Sequence, residues 1–307
     1  MADLCLFAHF DKDAIVDDYV LHYLAALKGL SFSIVFITTS PLSADEQAKL
    51  AGLCDDVILR ENAGLDFASW ALGLQRYADA LDGRVLLAND SVYAPVGDLP
   101  RVFACLTAEP ADFYGMVESL AVAPHLQSWF LLFESHVVRS PAFRTTFAQR
   151  FEDMSKDDVI KAGELGLSSA LLAASFRCTA LYRPKDAGRL ARTYPFNPPH
   201  YLWRQMIDDG IPFLKIELVR DRLDAAAVEE IVGTKDQALA GFILAHQHRV
   251  QLPSRQYRIG DAILTRLIWI DYWSHRHGWR ALETINFLVC AALLRLRRVK
   301  QHWFAPS

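Results

Sequence analysis

Several functional classes are closed to this chain by what it lacks. Its five cysteines (5, 54, 105, 178 and 290) are scattered, odd in number and never paired as CxxC. That pattern indicates a reducing compartment and excludes a thiolate metal site. No GxGxxG or GxxxxGK[ST] stands at a strand–helix turn, so neither an ordinary dinucleotide site nor a P-loop is expected. An excess of positive charge is missing too: 32 Lys and Arg against 36 Asp and Glu give a formal charge of −4, which argues against a general nucleic-acid binder. The first residues, MADLCLFAHFDKD, turn acidic early and carry no basic region followed by a long apolar stretch, so they do not read as a signal peptide. The unbroken apolar run at 287–294 has eight residues, too few to cross a bilayer, which takes about 20.

What is present is ample core material. Of 307 residues, 52% are hydrophobic, enough for one large domain or a domain with an extension. Strand and helix patterns alternate from the start: a strand at 4–8, a helix from Val16 stopped by Gly29, a strand at 34–38, a helix at 41–53, a strand at 56–60, a helix at 67–81 and a strand at 85–88. That alternation predicts a right-handed, mostly parallel, Rossmann-like sheet flanked by helices. Further strands are expected at 112–116, 129–133, 178–182 and 212–216, with a helical face at 167–175. The chain divides, on this reading, into a catalytic domain at 1–225 and a helical extension at 226–307.

The organising stretch is 84–95, RVLLANDSVYAP. Val85 to Ala88 suit a buried parallel strand, which halts at Asn89-Asp90-Ser91. Ligands of open α/β sheets bind beyond the carboxyl ends of the strands, where this triplet would stand; a strand-ending turn is the plainer alternative. A second polar cluster, Arg60-Glu61-Asn62-Ala63-Gly64-Leu65-Asp66, follows the preceding strand. Gly64 there suits a positive φ or a close backbone approach. Arg60 suits diphosphate or a neighbouring carboxylate. Asp66 and Asp11 suit helix caps as well as ligand contact. His9 and Asp11 lie on the same sheet edge as Asn62 and Asn89, where a base or ribose would fit.

RENAGLDFASW followed by LLANDSVYAP resembles the rhamnan synthesis F (RgpF-like) family of GT-A-type glycosyltransferases. HLQSWFLLF (125–133), GELGLSSAL (163–171) and IPFLK (211–215) extend the likeness over roughly residues 1–220. The resemblance implies a GT-A-like fold and transfer of a sugar from a nucleoside-diphosphate donor, with dTDP-rhamnose favoured. The acceptor would be a lipid-linked or oligosaccharide chain of a surface polysaccharide or O-antigen, and the reaction an inverting single displacement. It also implies donor contacts at His9, Arg60, Asn62, Gly64, Asp66, Asn89, Asp90, Ser91 and Lys215, and acceptor contacts at Gln127 and Ser128. His125 would stand beside the catalytic centre, although a lone histidine next to a strand is commonly structural.

A sugar hydroxyl needs a base to become a nucleophile. Glu164, placed by its pattern in the first turn of a helix, resembles the carboxylate that inverting GT-A enzymes use, and a first-turn glutamate that steadies the helix dipole is the plainer reading. Leu165 stands where the family pattern commonly has an aspartate; Asp112 and Glu118 are weaker substitutes. GT-A enzymes often hold Mg²⁺ or Mn²⁺ on a DxD motif. Here the triplet offers one carboxylate, Asp90, and hard cations prefer several oxygens, so both metal-dependent and metal-independent chemistry stay open. The missing carboxylates also leave open a non-catalytic sugar-binding or scaffold subunit. His136 and Arg139 read as surface residues, His246 and His248 as no zinc site, and PFNPPHYLW (195–203) as an ordered wall or a connection. The last helix, apolar and then basic at 295–300 (RLRRVK), fits either a packing helix or a tail on the inner face of the cytoplasmic membrane. A cytoplasmic, peripheral location is the expectation.

Overall fold

The computed structural model describes residues 3–184, 187–193, 196–223, 225–250 and 259–299, with the side chains at 191, 221, 222, 259–262 and 293–299 outside the described set. Its first half is the alternation that the sequence predicts. Strand β1 (Leu4–His9), helix α1 (Asp18–Gly29), β2 (Ser33–Thr38), α2 (Ala44–Lys49), β3 (Asp56–Leu59), α3 (Leu65–Arg76) and β4 (Val85–Asn89) follow one another. The four strands are parallel in the order β3-β2-β1-β4. After β4 come β5 (Val92–Tyr93), α4 (Leu99–Leu106), β6 (Phe113–Ser119), β7 (His125–Leu126), β8 (Phe130–Phe133), β9 (Cys178–Tyr182) and β10 (Leu214–Lys215). β8 joins β4 antiparallel, β6 pairs antiparallel with β8 and β7, and β9 runs parallel to β6. The result is a mixed, mostly parallel sheet flanked by helices.

Both faces of the sheet are apolar, so its central strands carry unbroken hydrophobic runs. Along β1 the side chains alternate between two cores: Cys5 and Phe7 pack with Tyr23, Leu27 and Phe36 beneath α1, while Leu4, Leu6 and Ala8 pack with Phe67 and Trp70 of α3. Several boundaries differ from the pattern reading. The helix expected over 41–53 is confined to Ala44–Lys49, where the Ser43 hydroxyl caps the Glu46 amide. Helix α1 includes Gly29 and is followed by Ser31 at φ +67°. The strand expected at 212–216 shrinks to β10, because Pro212 has no amide to donate and a helix, Ile216–Arg222, begins at once.

Residues beyond 225 join the core instead of hanging from it. Ile231, Val232, Leu239, Ile243, Ile268 and Cys290 belong to the same apolar cluster as Phe7 and Tyr23. Arg249, on the helix Gln237–Val250, is bound to Asp11 and Asp17 next to β1 and α1. Among the described residues no helix is long and apolar enough to cross a membrane.

Candidate functional site

The site grows from the register of the sheet. Ala8 stands opposite Asn89 and His9 opposite Thr38, so the carboxyl ends of β1, β2 and β4 lie level. Asn89 is nearly buried and joins two of the sequence motifs. Its Oδ1 accepts from the Ser91 amide and hydroxyl at 3.2 and 2.7 Å, and its Nδ2 donates to Asp66 Oδ2 at 2.6 Å. The Asp66 carboxylate therefore reaches across to β4 and does not cap α3, whose cap position, Gly64, makes no side-chain bond. Burial outweighs the Asn89 bond and raises the Asp66 pKa to about 6.

Asp90 follows, with Oδ2 accepting from the Phe10 amide at 3.0 Å and lying 3.9 Å from His9 Nε2. Burial, and then the charge of Asp66, hold its pKa well above the usual carboxylate value. His9 itself is 3% exposed, hydrogen-bonded to Thr38 Oγ1 at 3.0 Å. Burial lowers its pKa to about 4, so it backs Asp90 as a neutral ring. Its neighbour Phe10 is the exposed aromatic here, at 52%. Phe10 follows the strand expected at 4–8, and no motif in the sequence singles it out.

The loop before α3 is built as the sequence suggests at Gly64 and differently at Arg60. Gly64 has φ +75°, and a Cβ there would lie 2.6 Å from the Phe151 carbonyl carbon, so a side chain is excluded twice over. Arg60 was a candidate for diphosphate. Its guanidinium instead donates to the Glu61, Ala63 and Leu65 carbonyls and to Ser69 Oγ, and so is taken up in holding the loop. Asn62 is exposed on that loop. Asp11 accepts from the Asp13 and Ile15 amides and pairs with Arg249, which gives it a structural role.

Lys215 arrives from the far end of the sequence. β10 pairs antiparallel with β5, placing Lys215 opposite Val92, and the Ile216 amide donates to the Ser91 carbonyl at 3.2 Å. The IPFLK and NDSVYAP motifs thus form one ribbon. The ammonium acts on three carboxylates: its charge partly opposes the burial that raises the Asp66 pKa, and adds to the hydrogen bonds that lower those of Glu164 and Glu217.

Glu164 is not a first-turn residue. A helical stretch runs from Lys156 to Ala173, and Ile160–Leu165 within it is a π-helical turn, a local widening found frequently at functional sites. The dipole explanation therefore falls away. Gly163 sets the depth of the turn: a Cβ there would sit 2.7 Å from the Phe67 ring, so its absence lets this turn lie against the start of α3 beside Asp66. Glu164 Oε2 accepts from Ser128 Oγ at 2.5 Å, and Oε1 lies 3.1 Å from His125 Nε2. His125 Nδ1 meets the Ala123 carbonyl at 2.8 Å. Both ring nitrogens face acceptors, which only the doubly protonated imidazolium satisfies. Burial opposes charge on both groups. Even so, the Glu164 and Ala123 hydrogen bonds raise the His125 pKa, and the His125 and Ser128 hydrogen bonds lower that of Glu164.

Other candidates lie elsewhere. Gln127 is buried, donating to Asn197 Oδ1 at 2.7 Å and accepting from Trp129 Nε1 at 2.8 Å, so it braces the PFNPPHYLW segment and is not presented to an acceptor. Asp112 precedes β6 at the amino edge of the sheet, paired with His136 at 2.9 Å; its position removes it as a base. Glu118, near the carboxyl end of β6, acts on His125 through its charge.

Among the described residues no group of three or more His, Cys, Asp or Glu side chains could hold a metal ion. The Asn89 and Ser91 side chains bond to each other and to Asp66, which leaves Asp90 as the triplet's one ligand. Its undercompensated charge suits a cation that takes its other oxygens from substrate phosphates and water.

A family model for rhamnan synthesis protein F matches residues 34–272. Virulence protein VirA of Vibrio anguillarum is 30% identical over 226 residues, covering 62% of this chain and 72% of its own. The uncharacterized protein y4gN of Sinorhizobium fredii is 24% identical over 191 residues, 60% of this chain and 50% of its own. Among solved structures, the glycosyltransferase GlyE of Streptococcus pneumoniae superposes with a TM-score of 0.38 at 12% identity, over 84% of this chain and 65% of that one.

Proposed function

The chain belongs to the rhamnan synthesis protein F family, and from that premise we propose that it is a GT-A-like glycosyltransferase. It would move a sugar from a nucleoside diphosphate to a hydroxyl of a growing surface polysaccharide. The observation that carries this reading is the convergence of Asp66, Asn89, Asp90, Glu164 and Lys215 at the carboxyl edge of the sheet. Two carboxylates raised in pKa by burial, one carboxylate lowered by its hydrogen bonds and an ammonium whose charge reaches them are the kind of perturbed cluster that marks a catalytic site.

In a single displacement, Glu164 takes the proton of the acceptor hydroxyl as its oxygen attacks the anomeric carbon. His125 and Ser128 fix the carboxylate through one oxygen each. Lys215 meets charge growing on the departing diphosphate, and Asn89 and Asp66 position the donor. Mg²⁺ or Mn²⁺, when bound, would rest on Asp90 and neutralise diphosphate charge. L-Rhamnose carried on dTDP is the favoured donor, and a lipid-linked or oligosaccharide chain, as in an O-antigen, the favoured acceptor, at the cytoplasmic side of the membrane.

The test is a thermal-shift panel of nucleoside-diphosphate sugars with and without Mn²⁺, followed by product analysis. The reading requires stabilisation by one donor and transfer or hydrolysis of its sugar, reduced about 10²–10⁴-fold in Glu164→Gln. Absence of stabilisation by every nucleotide would favour a scaffold subunit.

A further inference from the structure

The last two described helices, Ile259–Arg276 and Arg280–Val299, pack against each other and leave an outer surface that the catalytic reading does not use. On the second helix Ala281, Thr284, Ile285, Leu288, Val289 and Ala292 face outward. Ile285 and Leu288 are each 60% exposed. These positions recur at helical spacing and form one stripe without a charge, roughly 16 Å long at 1.5 Å per residue. At the turn between the helices stands a ring cluster: Trp273 stacks on Trp269 and His277 and meets Trp279 edge-on at 5.1 Å. Trp279 and Trp269 are both exposed.

Charge decides what covers this face. After Glu283 the sequence has no Asp or Glu, while Arg295, Arg297, Arg298 and Lys300 follow the stripe. Arg280 stands at its other end. A second copy of the chain, paired in either direction, would bring cations against cations. An anionic lipid surface meets both the apolar stripe and its basic ends, and exposed tryptophans favour the headgroup layer. The stripe is too short to span. We infer that the helix Arg280–Val299 lies in the surface of an anionic membrane, with Ile285, Leu288 and Val289 in the acyl boundary, and that the positive charge the sequence carries after this stripe selects anionic lipid.

The experiment is cosedimentation of the full-length protein with vesicles of phosphatidylglycerol and phosphatidylcholine, or phosphatidylcholine alone. Binding to the anionic vesicles, weakened at least about tenfold by omission of phosphatidylglycerol or by the double change Ile285→Glu and Leu288→Glu, supports the inference. Arg297→Glu with Arg298→Glu should weaken binding similarly and reduce its salt sensitivity. Circular dichroism and melting temperature confirm that each variant is folded. Equal binding by folded variants overturns the inference. So does a wild-type dimer that becomes monomeric in the Glu double variant without any lipid binding by either, because the face would then belong to a second copy. Nucleotide-sugar binding, measured in parallel, separates failure of this inference from failure of the glycosyltransferase reading.

Discussion

Asp66 shows how one side chain can serve the site at the expense of the fold. Its pKa is raised from 3.8 to about 6, chiefly by burial. The folded state therefore holds this proton more tightly than the unfolded chain. The resulting penalty begins as pH rises past the unfolded value and is complete above about 6. Replacing the charge while keeping the acceptor should remove it: an Asn at this position can still accept from Asn89 Nδ2 through its amide oxygen. Asp66→Asn is expected to gain up to roughly 3 kcal/mol at pH 8, with the advantage gone below pH 4, while sugar transfer falls. Urea denaturation at the two pH values measures the first part, and a pH-independent difference would contradict the electrostatic account. Sequence pattern singled out Asn89 and Asp66 because each stands in a polar cluster after a buried strand, whereas Glu164 was singled out through the resemblance to inverting GT-A enzymes. The pattern left Arg60 open between diphosphate and a carboxylate, because a guanidinium fork fits several acceptors alike and only coordinates reveal that three carbonyls and Ser69 Oγ are within reach.

At the scale of elements, the decisive contact joins α3 to the π-helical turn carrying Glu164. No periodicity announces a π turn, since one extra residue barely disturbs an apolar stripe, and so the pattern placed Glu164 at a helix start. GELG did carry a trace of the close approach, in Gly163. Gly163→Ala would put a methyl 2.7 Å from the Phe67 ring. Phe67 is wedged among Trp70, Phe147 and Phe151 and has little room to retreat. The substitution should cost about 1–3 kcal/mol and, by pushing Glu164 away from Asp66, lower the transfer rate more than donor affinity. Kinetics and donor titration on the same preparation check this. A variant that loses donor affinity as steeply as rate would show that Gly163 supports the whole site instead of the base alone.

For the whole molecule, the parallel half of the sheet was legible because its central strands are short unbroken apolar runs and the helices between them carry their own period. The docking of the chain beyond residue 225 was not, because a cation and its partners more than 230 positions apart leave no local pattern. Arg249 lies 2.5 Å from Asp11, 2.6 Å from Asp17 and 2.9 Å from Asp13. Asp11 follows Phe10, whose amide holds Asp90, so the helix Gln237–Val250 braces the site through three consecutive links. Burial raises the Asp11 pKa, but the Arg249 and amide hydrogen bonds outweigh it and leave the value lowered. A lowered carboxylate contributes stability above its unfolded pKa and loses it as pH falls through the folded value. In Arg249→Met three carboxylates keep their proximity without their cation. The change should cost roughly 2–3 kcal/mol at pH 7 for this partly exposed group, and protonation should then relieve the repulsion. The gap between wild type and variant in urea should therefore narrow markedly between pH 7 and pH 3.5. A gap of equal size at both would mean that the arginine holds this helix by packing its stem, with the three aspartates as bystanders.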